Sequence, residues 1–403
     1  MATSSRSGAH TRLLSRALFL GAGVLVAASA HAVDVRYRYI DLGTLNRWSS
    51  VGFGINNPGQ VAGYAGYDTA PGFHGTLWTG TTPINLDTSA RVSEAYGIND
   101  LGQVVGAGRP INGSKPSRGL LWNGTVATEL PALGGGGTSV AYDINNAGQA
   151  VGVSSTTAPI GSGLQHATLW NGTMPTDLGT LGGLYSVAYA INDAGQAVGI
   201  SELVEIDSPL HATLWTGSTA TDLGSLEGGY RSYGFAYGIN NAGDIVGYSV
   251  LRGDLFHATL WKDGTPMDLG ALGGESSFAF DINEAGQVVG VSGSQVPGPG
   301  GSVPPENRAV LWDGGVIIDL NSFLDAATVD AGWHLSEAVG INDRGWITGT
   351  AFNPFIGTHA FVLVPIPEPE TYALMLAGLG ALLLVTRRRQ MQSFGPRGKP
   401  ASS

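Results

Sequence analysis

Residues 141–152, AYDINNAGQAVG, decide the fold, because related strings recur along almost the whole chain. HATLW follows at residues 166–170, and TDLGTLGG follows at 176–183. An Ile-Asn pair marks each of seven copies, beginning at Ile55, Ile98, Ile144, Ile191, Ile239, Ile282 and Ile341. The copies lie 43 to 59 residues apart, and repeats of this length indicate a propeller or a solenoid.

Each copy reads as four short strands joined by tight turns. An Asn-x-x-Gly turn, as at residues 145–148, joins the first two strands, since Gly adopts positive φ without steric cost. HATLW is the third strand, and an Asp-Leu pair marks the fourth. The third strand usually ends in a tryptophan that we expect in the core: Trp78, Trp122, Trp170, Trp215, Trp261 and Trp312. Four strands in a unit of this length predict a propeller blade.

The two ends of the repeat region complement each other. Residues 36–43 read as a fourth strand with no three strands before it, and residues 359–364 as a third strand with no fourth after it. The sequence therefore predicts an all-β, seven-bladed β-propeller over residues 33–364, with four strands per blade, closed by strand 36–43 joining the last blade. Closure would also cover exposed strand edges. A β-solenoid is the alternative, although it does not require this complementarity.

Composition limits the chemistry of this domain. The 403 residues include 63 Gly and no Cys, so neither disulfides nor thiolate metal sites can form. Residues 33–364 hold 12 Lys and Arg against 29 Asp and Glu, a net charge of −17 with neutral His. An acidic surface of this kind repels phosphate backbones, which argues against nucleic acid as a partner.

Both ends of the chain carry sorting patterns. Residues 1–32 contain three Arg, then an apolar run, then Ala30-His31-Ala32, which predicts a signal peptide cleaved after Ala32. Residues 365–390 contain a Pro-rich spacer, an apolar run at 372–386 and an Arg cluster. About 15 residues span roughly 22 Å, less than a bilayer core of ~30 Å, but the Arg cluster favours a short transmembrane helix. Residues 391–403 read as a disordered basic tail.

Two family resemblances follow from these patterns. Pro367-Glu368-Pro369, the apolar run and Arg387-Arg388-Arg389 resemble the PEP-CTERM sorting signal of Gram-negative bacteria. That resemblance implies an exosortase as partner, transient anchoring in the inner membrane, and delivery to the cell surface or an exopolysaccharide matrix. The repeats resemble the HAF-repeat family of extracellular proteins, named for the string at residues 359–361, and this implies a location but no activity.

The third-strand histidines are His74, His166, His211, His257 and His359. A metal site needs several imidazoles at one point, whereas equivalent positions in different blades are far apart. We therefore expect hydrogen bonds inside each blade, such as His166 with Asp177. The Asn-rich turns suit turn capping better than calcium binding, which needs several carboxylates. No catalytic residue set, metal site or cofactor is predicted.

The links between second and third strands vary most in length and share one face, so we expect binding there. Aromatic rings suit sugar faces or partner surfaces, although packing between blades is the alternative. The candidate ligand-binding residues on this face are Trp48, Tyr67, Tyr185, Tyr230, Arg231, Tyr233 and Trp333. Basic residues on the same loops could meet an anionic polysaccharide.

These observations predict an exported cell-surface or extracellular-matrix propeller that binds its partner without catalysis. Exopolysaccharide and surface proteins are the expected partners. One alternative is a secreted polysaccharide lyase or hydrolase that uses the mouth of the propeller channel. Another is a purely structural matrix protein.

Overall fold

The computed structural model describes residues 36–67, 72–87, 91–110, 116–156, 164–204, 209–228, 233–251, 255–273, 276–293 and 307–366. Within these ranges the fold is all-β apart from two short helical turns. Strands follow one another as antiparallel neighbours in groups of four, one group for each sequence repeat. The predicted strand content and the four-strand unit are therefore correct.

The first three groups follow in chain order. Group one comprises β2 (Asn46–Ile55), β3 (Gln60–Tyr67), β4 (Phe73–Thr79) and β5 (Thr82–Asn85). Group two comprises β6 (Arg91–Ile98), β7 (Gln103–Pro110), β8 (Arg118–Asn123) and β9 (Val126–Leu130). Group three comprises β10 (Ser139–Ile144), β11 (Gln149–Ser155), β12 (Gln165–Asn171) and β13 (Met174–Gly179).

The next three groups repeat this order. Group four comprises β14 (Gly182–Ile191), β15 (Gln196–Leu203), β16 (Leu210–Thr216) and β17 (Thr219–Asp222). Group five comprises β18 (Gly234–Ile239), β19 (Ile245–Leu251), β20 (Leu255–Lys262) and β21 (Thr265–Asp268). Group six comprises β22 (Ser276–Ile282), β23 (Val288–Gly293), β24 (Arg308–Asp313) and β25 (Val316–Asp319).

The last group joins the two ends of the repeat region. It comprises β26 (His334–Ile341), β27 (Ile347–Asn353), β28 (Gly357–Ile366) and β1 (Arg36–Asp41). Strands β1 and β28 pair antiparallel, with Tyr39 opposite Leu363. The sequence placed the same two segments side by side from their complementary missing strands.

The long interval before the last repeat contains helical structure that the sequence reading did not predict. A 3₁₀ helix spans Leu320–Phe323, and α1 spans Ala326–Asp330. The side chain of Asp319 accepts a hydrogen bond from the Asn321 amide, and that of Asp325 accepts one from the Thr328 amide. Such capping starts helical turns within a Pro-free loop, and it explains how this copy accommodates its extra residues.

A bulge occurs at the same place in the first strand of every group. In β10 the pairing with β11 skips Tyr142, so that Ala141 faces Gly152 and Asp143 faces Val151. The glycine is required there, because a Cβ at Gly152 would overlap the carbonyl oxygen of Val140. A bulge of this kind re-aims one side chain relative to simple strand alternation.

The asparagine of each Ile-Asn pair is buried and links its group to the next. Its Oδ1 accepts backbone N–H bonds from its own turn, as when Asn145 accepts from Gln149 at 2.9 Å. Its Nδ2 donates to the backbone carbonyl of the equivalent asparagine in the following group, as from Asn145 to Asn192 at 3.1 Å. The series runs through Asn56, Asn99, Asn145, Asn192, Asn240, Asn283 and Asn342, and Asn342 donates back to Asn56 at 2.9 Å. We call this closed series the asparagine circle.

The tryptophans at the ends of the third strands form the core between neighbouring groups, as predicted. All six are at most 3% exposed. Trp122 packs with Leu77 and Leu86 of the preceding group, and Trp78 packs with Ala360 and Val362 of the last group. Apolar layers therefore hold each group against its neighbour, including the first against the last.

The third-strand histidines bond within their own group, which confirms the predicted pairing of His166 with Asp177. Their Nδ1 and carboxylate oxygen lie 2.9 Å apart, and the same contact joins His211 to Asp222 at 2.9 Å. Burial opposes ionisation of Asp222, but the hydrogen bonds from His211 and from the Gly224 amide hold the pKa of that carboxyl below its usual value.

We expect replacement of Asn145 by Ala to lower the free energy of unfolding by roughly 2–4 kcal/mol. The change removes one of two donors to the buried Asn192 carbonyl, which keeps the Gly195 amide, and leaves the turn amides without their acceptor, at ~1–3 kcal/mol for each unsatisfied group. Chemical denaturation measures the loss. Exposed Asn171 provides the control, and equal effects of the two substitutions would contradict a special role for the asparagine circle.

Replacement of His211 by Ala should lower the melting temperature more than replacement of His166. The side chain of His211 is 6% exposed and that of His166 is 23% exposed, so the lost hydrogen bond and cavity cost more at His211. Calorimetry of both variants tests this order. An unchanged melting temperature for the His211 variant would refute a stabilising role for the His–Asp pair.

Candidate functional site

The first strands of all seven groups line one cavity of about 460 Å³. Its wall is built from the residues that strand pairing skips at each bulge, which lie two positions before the isoleucine of each Ile-Asn pair. Six of the seven are aromatic: Phe53, Tyr96, Tyr142, Tyr189, Tyr237 and Phe280. The seventh is Val339. A cavity of this volume accommodates a small molecule or a few sugar units.

The aromatic residues of this wall contact one another in sequence. Ring centroids lie 5.3 Å apart for Phe53 and Tyr96, 5.4 Å for Tyr96 and Tyr142, and 5.4 Å for Tyr142 and Tyr189. Tyr237 continues the row at 4.8 Å from Tyr189. The bulge places these rings here, because each one is the residue that strand pairing skips. The fold thus presents a continuous aromatic surface to whatever enters the cavity.

Two aspartates occupy wall positions where most other repeats have Gly. Asp143 accepts hydrogen bonds from its neighbour Ile144 and from Ile191 of the next group, at 2.8 and 2.9 Å. Asp281 makes the equivalent bonds to Ile282 and Ile341. Burial raises the pKa of both carboxyls, to about 7 for Asp281, while these amide donors act in the opposite direction. Both side chains therefore serve to join neighbouring groups.

Glu337 differs from these aspartates because its carboxyl lacks such donors. The residue is 7% exposed, and its Oε1 has no hydrogen-bond partner among the described residues. Burial raises the pKa of Glu337 to about 8. Across the strand pair, Thr350 faces Glu337, and its buried Oγ1 also lacks a partner in the described part of the chain. Buried polar atoms of this kind mark the place where a ligand can be recognised.

The conserved isoleucines separate this cavity from a smaller one of about 160 Å³, since Ile55, Ile98 and Asp143 line both. Polar residues that follow the asparagine circle surround the smaller cavity. Each donates its amide to the next side chain, as from Asn146 to Asp193 at 2.8 Å and from Asp193 to Asn241 at 2.8 Å. The acidic side chains beside the smaller cavity therefore serve as hydrogen-bond acceptors for the turn of the neighbouring group. The described residues hold no group of three or more His, Asp or Glu able to bind a metal ion.

The candidate residues from the sequence lie outside the wall of the aromatic cavity where the structure describes them. Tyr185 is half-buried and packs behind Tyr142 and Tyr189. Tyr233 is 47% exposed. Trp333 packs on the core and stacks on His359, with ring centroids 4.9 Å apart. Tyr185 and Trp333 therefore make packing contacts, as expected under the alternative that these aromatic residues pack in the fold.

The remaining candidates cannot be compared in this way. Trp48 and Tyr67 lie on β2 and β3, but their side chains are outside the described part of the structure. Tyr230 and Arg231 are outside the described residues altogether, as are the cleavage position Ala32 and the sorting residues Pro367, Glu368, Pro369, Arg387, Arg388 and Arg389.

Sequence reasoning missed the aromatic wall and Glu337. The signal was present, because an aromatic residue precedes Ile-Asn by two positions in six repeats. Simple strand alternation does not reveal which face such a residue occupies once a bulge shifts the register. Glu337 could have been noticed as a departure from the repeat, since most equivalent positions are apolar, although Glu94 is also acidic.

Residues 365–389 match the PEP-CTERM protein-sorting motif. This match implies export through the envelope of a Gram-negative bacterium and recognition by an exosortase. No curated protein matches the chain. The described residues contain no helix long and apolar enough to cross a membrane, and the predicted span at residues 372–386 lies outside them.

Solved structures resemble the chain in fold. The β-propeller domain of the Trilobed protease from Pyrococcus furiosus is 9% identical, with a TM-score of 0.50 over 79% of this chain and 98% of that one. A puromycin-hydrolyzing peptidase from Mycobacterium tuberculosis is 10% identical, with a TM-score of 0.50 over 82% of this chain and 55% of that one. A putative TolB from Agrobacterium tumefaciens is 13% identical, with a TM-score of 0.42 over 71% and 95%. The match to the β-propeller domain from Pyrococcus furiosus shows a propeller-like fold.

Replacement of Glu337 by Gln should stabilise the protein more at pH 7 than at pH 5. The folded pKa of about 8 lies above the ordinary value near 4.3, so ionisation destabilises the fold, and this penalty grows as pH rises between the two values. The variant's advantage should increase by roughly 2 kcal/mol over this range, as measured by chemical denaturation. The control is Glu284→Gln, and a pH-independent difference for Glu337→Gln would contradict the raised pKa.

Proposed function

We propose that this protein is an exported, seven-bladed propeller of the cell surface or extracellular matrix that binds a segment of exopolysaccharide without converting it. Seven strand groups, the pairing of β1 with β28 and the asparagine circle support the closed, seven-bladed architecture. The sorting motif at residues 365–389 supports export, with exosortase as the processing partner and a transient inner-membrane anchor. We also propose that the repeats belong to the HAF-repeat family, which they resemble at residues 359–361.

The observation that carries the binding function is the aromatic cavity with Glu337 in its wall. Aromatic faces stack on the apolar faces of sugar rings, and polar groups at the same surface fix their orientation. The row from Phe53 to Phe280 provides such faces. The unpartnered Glu337 Oε1 provides a buried acceptor that a sugar hydroxyl or amine satisfies.

The strand direction connects this cavity with the variable face. Most residues that line the aromatic cavity precede the Ile-Asn pairs, whereas the smaller cavity is lined by these pairs and the residues after them, so the aromatic cavity lies nearer to the starts of the first strands than the smaller one does. The variable links occur at that same end. The polymer would therefore cross the variable face, where Trp48, Tyr67, Tyr185, Tyr230, Arg231, Tyr233 and Trp333 are its outer contacts, and one unit would enter the cavity.

Binding without catalysis fits the acids of the cavity better than hydrolysis does. Glycoside hydrolysis uses two carboxyls, one on each side of the bond that breaks. Asp143 and Asp281 are each held by two amides, and Glu94 accepts a hydrogen bond from the Tyr96 hydroxyl. Glu337 is the remaining carboxyl whose oxygen is free to act on a ligand among the described residues of this wall.

A secreted polysaccharide lyase or hydrolase is the second candidate, because a carboxyl with a pKa of about 8 remains protonated at neutral pH and suits a general acid. Product release distinguishes the two functions. Incubation with exopolysaccharide should yield no new reducing or unsaturated ends over hours. Product formation that Glu337→Gln abolishes would instead establish the enzyme.

Replacement of Tyr142 by Leu should weaken binding of the purified protein to exopolysaccharide at least tenfold, because it removes one aromatic face and the packing of its two neighbours. A glycan array identifies the ligand, and calorimetry measures the affinity. The matched variant is Tyr233→Ala on the variable face, for which we expect about a threefold loss. If Tyr233→Ala abolishes binding and Tyr142→Leu does not, the variable face rather than the cavity is the site.

A further inference from the structure

Glu337 and Thr350 form a pair of buried polar groups, each with one oxygen that has no hydrogen-bond partner in the described structure. They face each other across β26 and β27, and Oε1 of Glu337 and Oγ1 of Thr350 are both without a partner there. Thr350 is 2% exposed and Glu337 is 7% exposed. Leaving such atoms unsatisfied is unfavourable, and both oxygens can accept hydrogen bonds from a ligand, since an ionised Glu337 is an acceptor only and a hydroxyl oxygen accepts as well as donates.

Carboxyl groups surround this point, and no cationic side chain of the described residues lines the cavity there. Tyr64 on β3 lies close to both Glu94 and Glu337, since burial first and then these two carboxyls raise its pKa to about 12. The described residues that line the cavity include Asp143, Asp281 and Glu337, and none of them is Lys, Arg or His. A positively charged group therefore finds acids that no cation of the described wall neutralises, and its charge favours their ionisation.

Aromatic rings adjoin the same corner. The ring of Phe53 lies 5.7 Å from that of Tyr64 and 5.3 Å from that of Tyr96. The faces of such rings attract cations, and the attraction strengthens where water is excluded. An ammonium group also offers three N–H donors and no acceptor. Its chemistry therefore matches the two free oxygens, the acids without a neighbouring cation in the described wall and the aromatic surroundings together.

We propose that Glu337, Thr350, Tyr64 and Phe53 form a subsite for a primary ammonium group, so that the sugar bound in the cavity is an amino sugar with a free amine. This inference rests on the proposed binding function and names its ligand class. Glu337 accepts an N–H bond and supplies the countercharge, Thr350 accepts a second N–H bond, and the rings cover the cation.

Binding at this subsite should release a proton. Burial raises the pKa of Glu337 to about 8, so the carboxyl is protonated at pH 6 and must ionise to pair with the ammonium. The acidic groups near Glu337 are Tyr64 from β3, Glu94 from β6 and Asp281 from β22, and β27 brings only the Thr350 hydroxyl. Arg308 of β24, a strand packed against β26, is paired with Asp319 at 2.8 Å. None of these groups supplies a positive charge that would ionise Glu337 without the ligand.

The test compares glucosamine oligomers with N-acetylated oligomers of the same length by calorimetry at pH 6.0, in two buffers of different ionisation enthalpy. We expect the free-amine oligomer to bind at least tenfold more tightly, with release of about one proton. Glu337→Gln should abolish both the preference and the proton release while it retains binding of the N-acetylated oligomer. Glu284→Gln, which removes an acid beside the smaller cavity, should change neither.

The outcomes separate this inference from the proposed function. Equal binding of the two oligomers, or a preference that survives in Glu337→Gln, overturns the ammonium subsite and leaves polysaccharide binding intact. Binding of neutral or acidic glycans alone would likewise overturn the ammonium subsite and leave polysaccharide binding intact. If no glycan on the array binds, both the subsite and the proposed function are wrong.

Discussion

The asparagine circle is the constraint on which the rest of the structure depends. Each side-chain amide closes its own turn through Oδ1 and reaches the next group through Nδ2, so turn geometry and the spacing between groups are fixed by one residue. The bond from Asn342 to the Asn56 carbonyl brings the series back to its start. Because these amides are buried, omission of one leaves turn N–H groups without their acceptor and removes one of the two donors to the next carbonyl, and this penalises any other arrangement of the copies.

The bulge next to each of these turns places one side chain of every repeat in the wall of the cavity. It requires Gly152 and its counterparts, where a larger residue would overlap the opposite strand, and it directs Tyr142 and its counterparts inward. The wall then varies at few positions. Asp143 and Asp281 strengthen contacts between groups, whereas Glu337 is left without a donor. The chemical character of the cavity is thus set by the few positions at which one repeat differs from the others.

Much of the fold could be predicted from local sequence patterns. Strand alternation, turn glycines and the complementary segments at residues 36–43 and 359–364 predicted the strand groups and the pairing of β1 with β28, and the regular spacing predicted the bond between His166 and Asp177. Contacts between groups were harder to infer, because nothing within one copy shows that Asn145 reaches Asn192. The aromatic wall was missed since a bulge reverses the face that alternation assigns. The capped turns at residues 320–330 were missed because they belong to one copy only.

Pairing of β1 with β28 has a consequence for the order of events during biosynthesis. Asp41 and His359, which bond across this pair, are 318 positions apart, so the earliest strand must wait for the latest one. Contacts over such separations form late, because a large loop entropy opposes them. While the chain is being made, β1 therefore has no partner strand until β28 emerges, and the seam between them is the last part of the strand groups that can form.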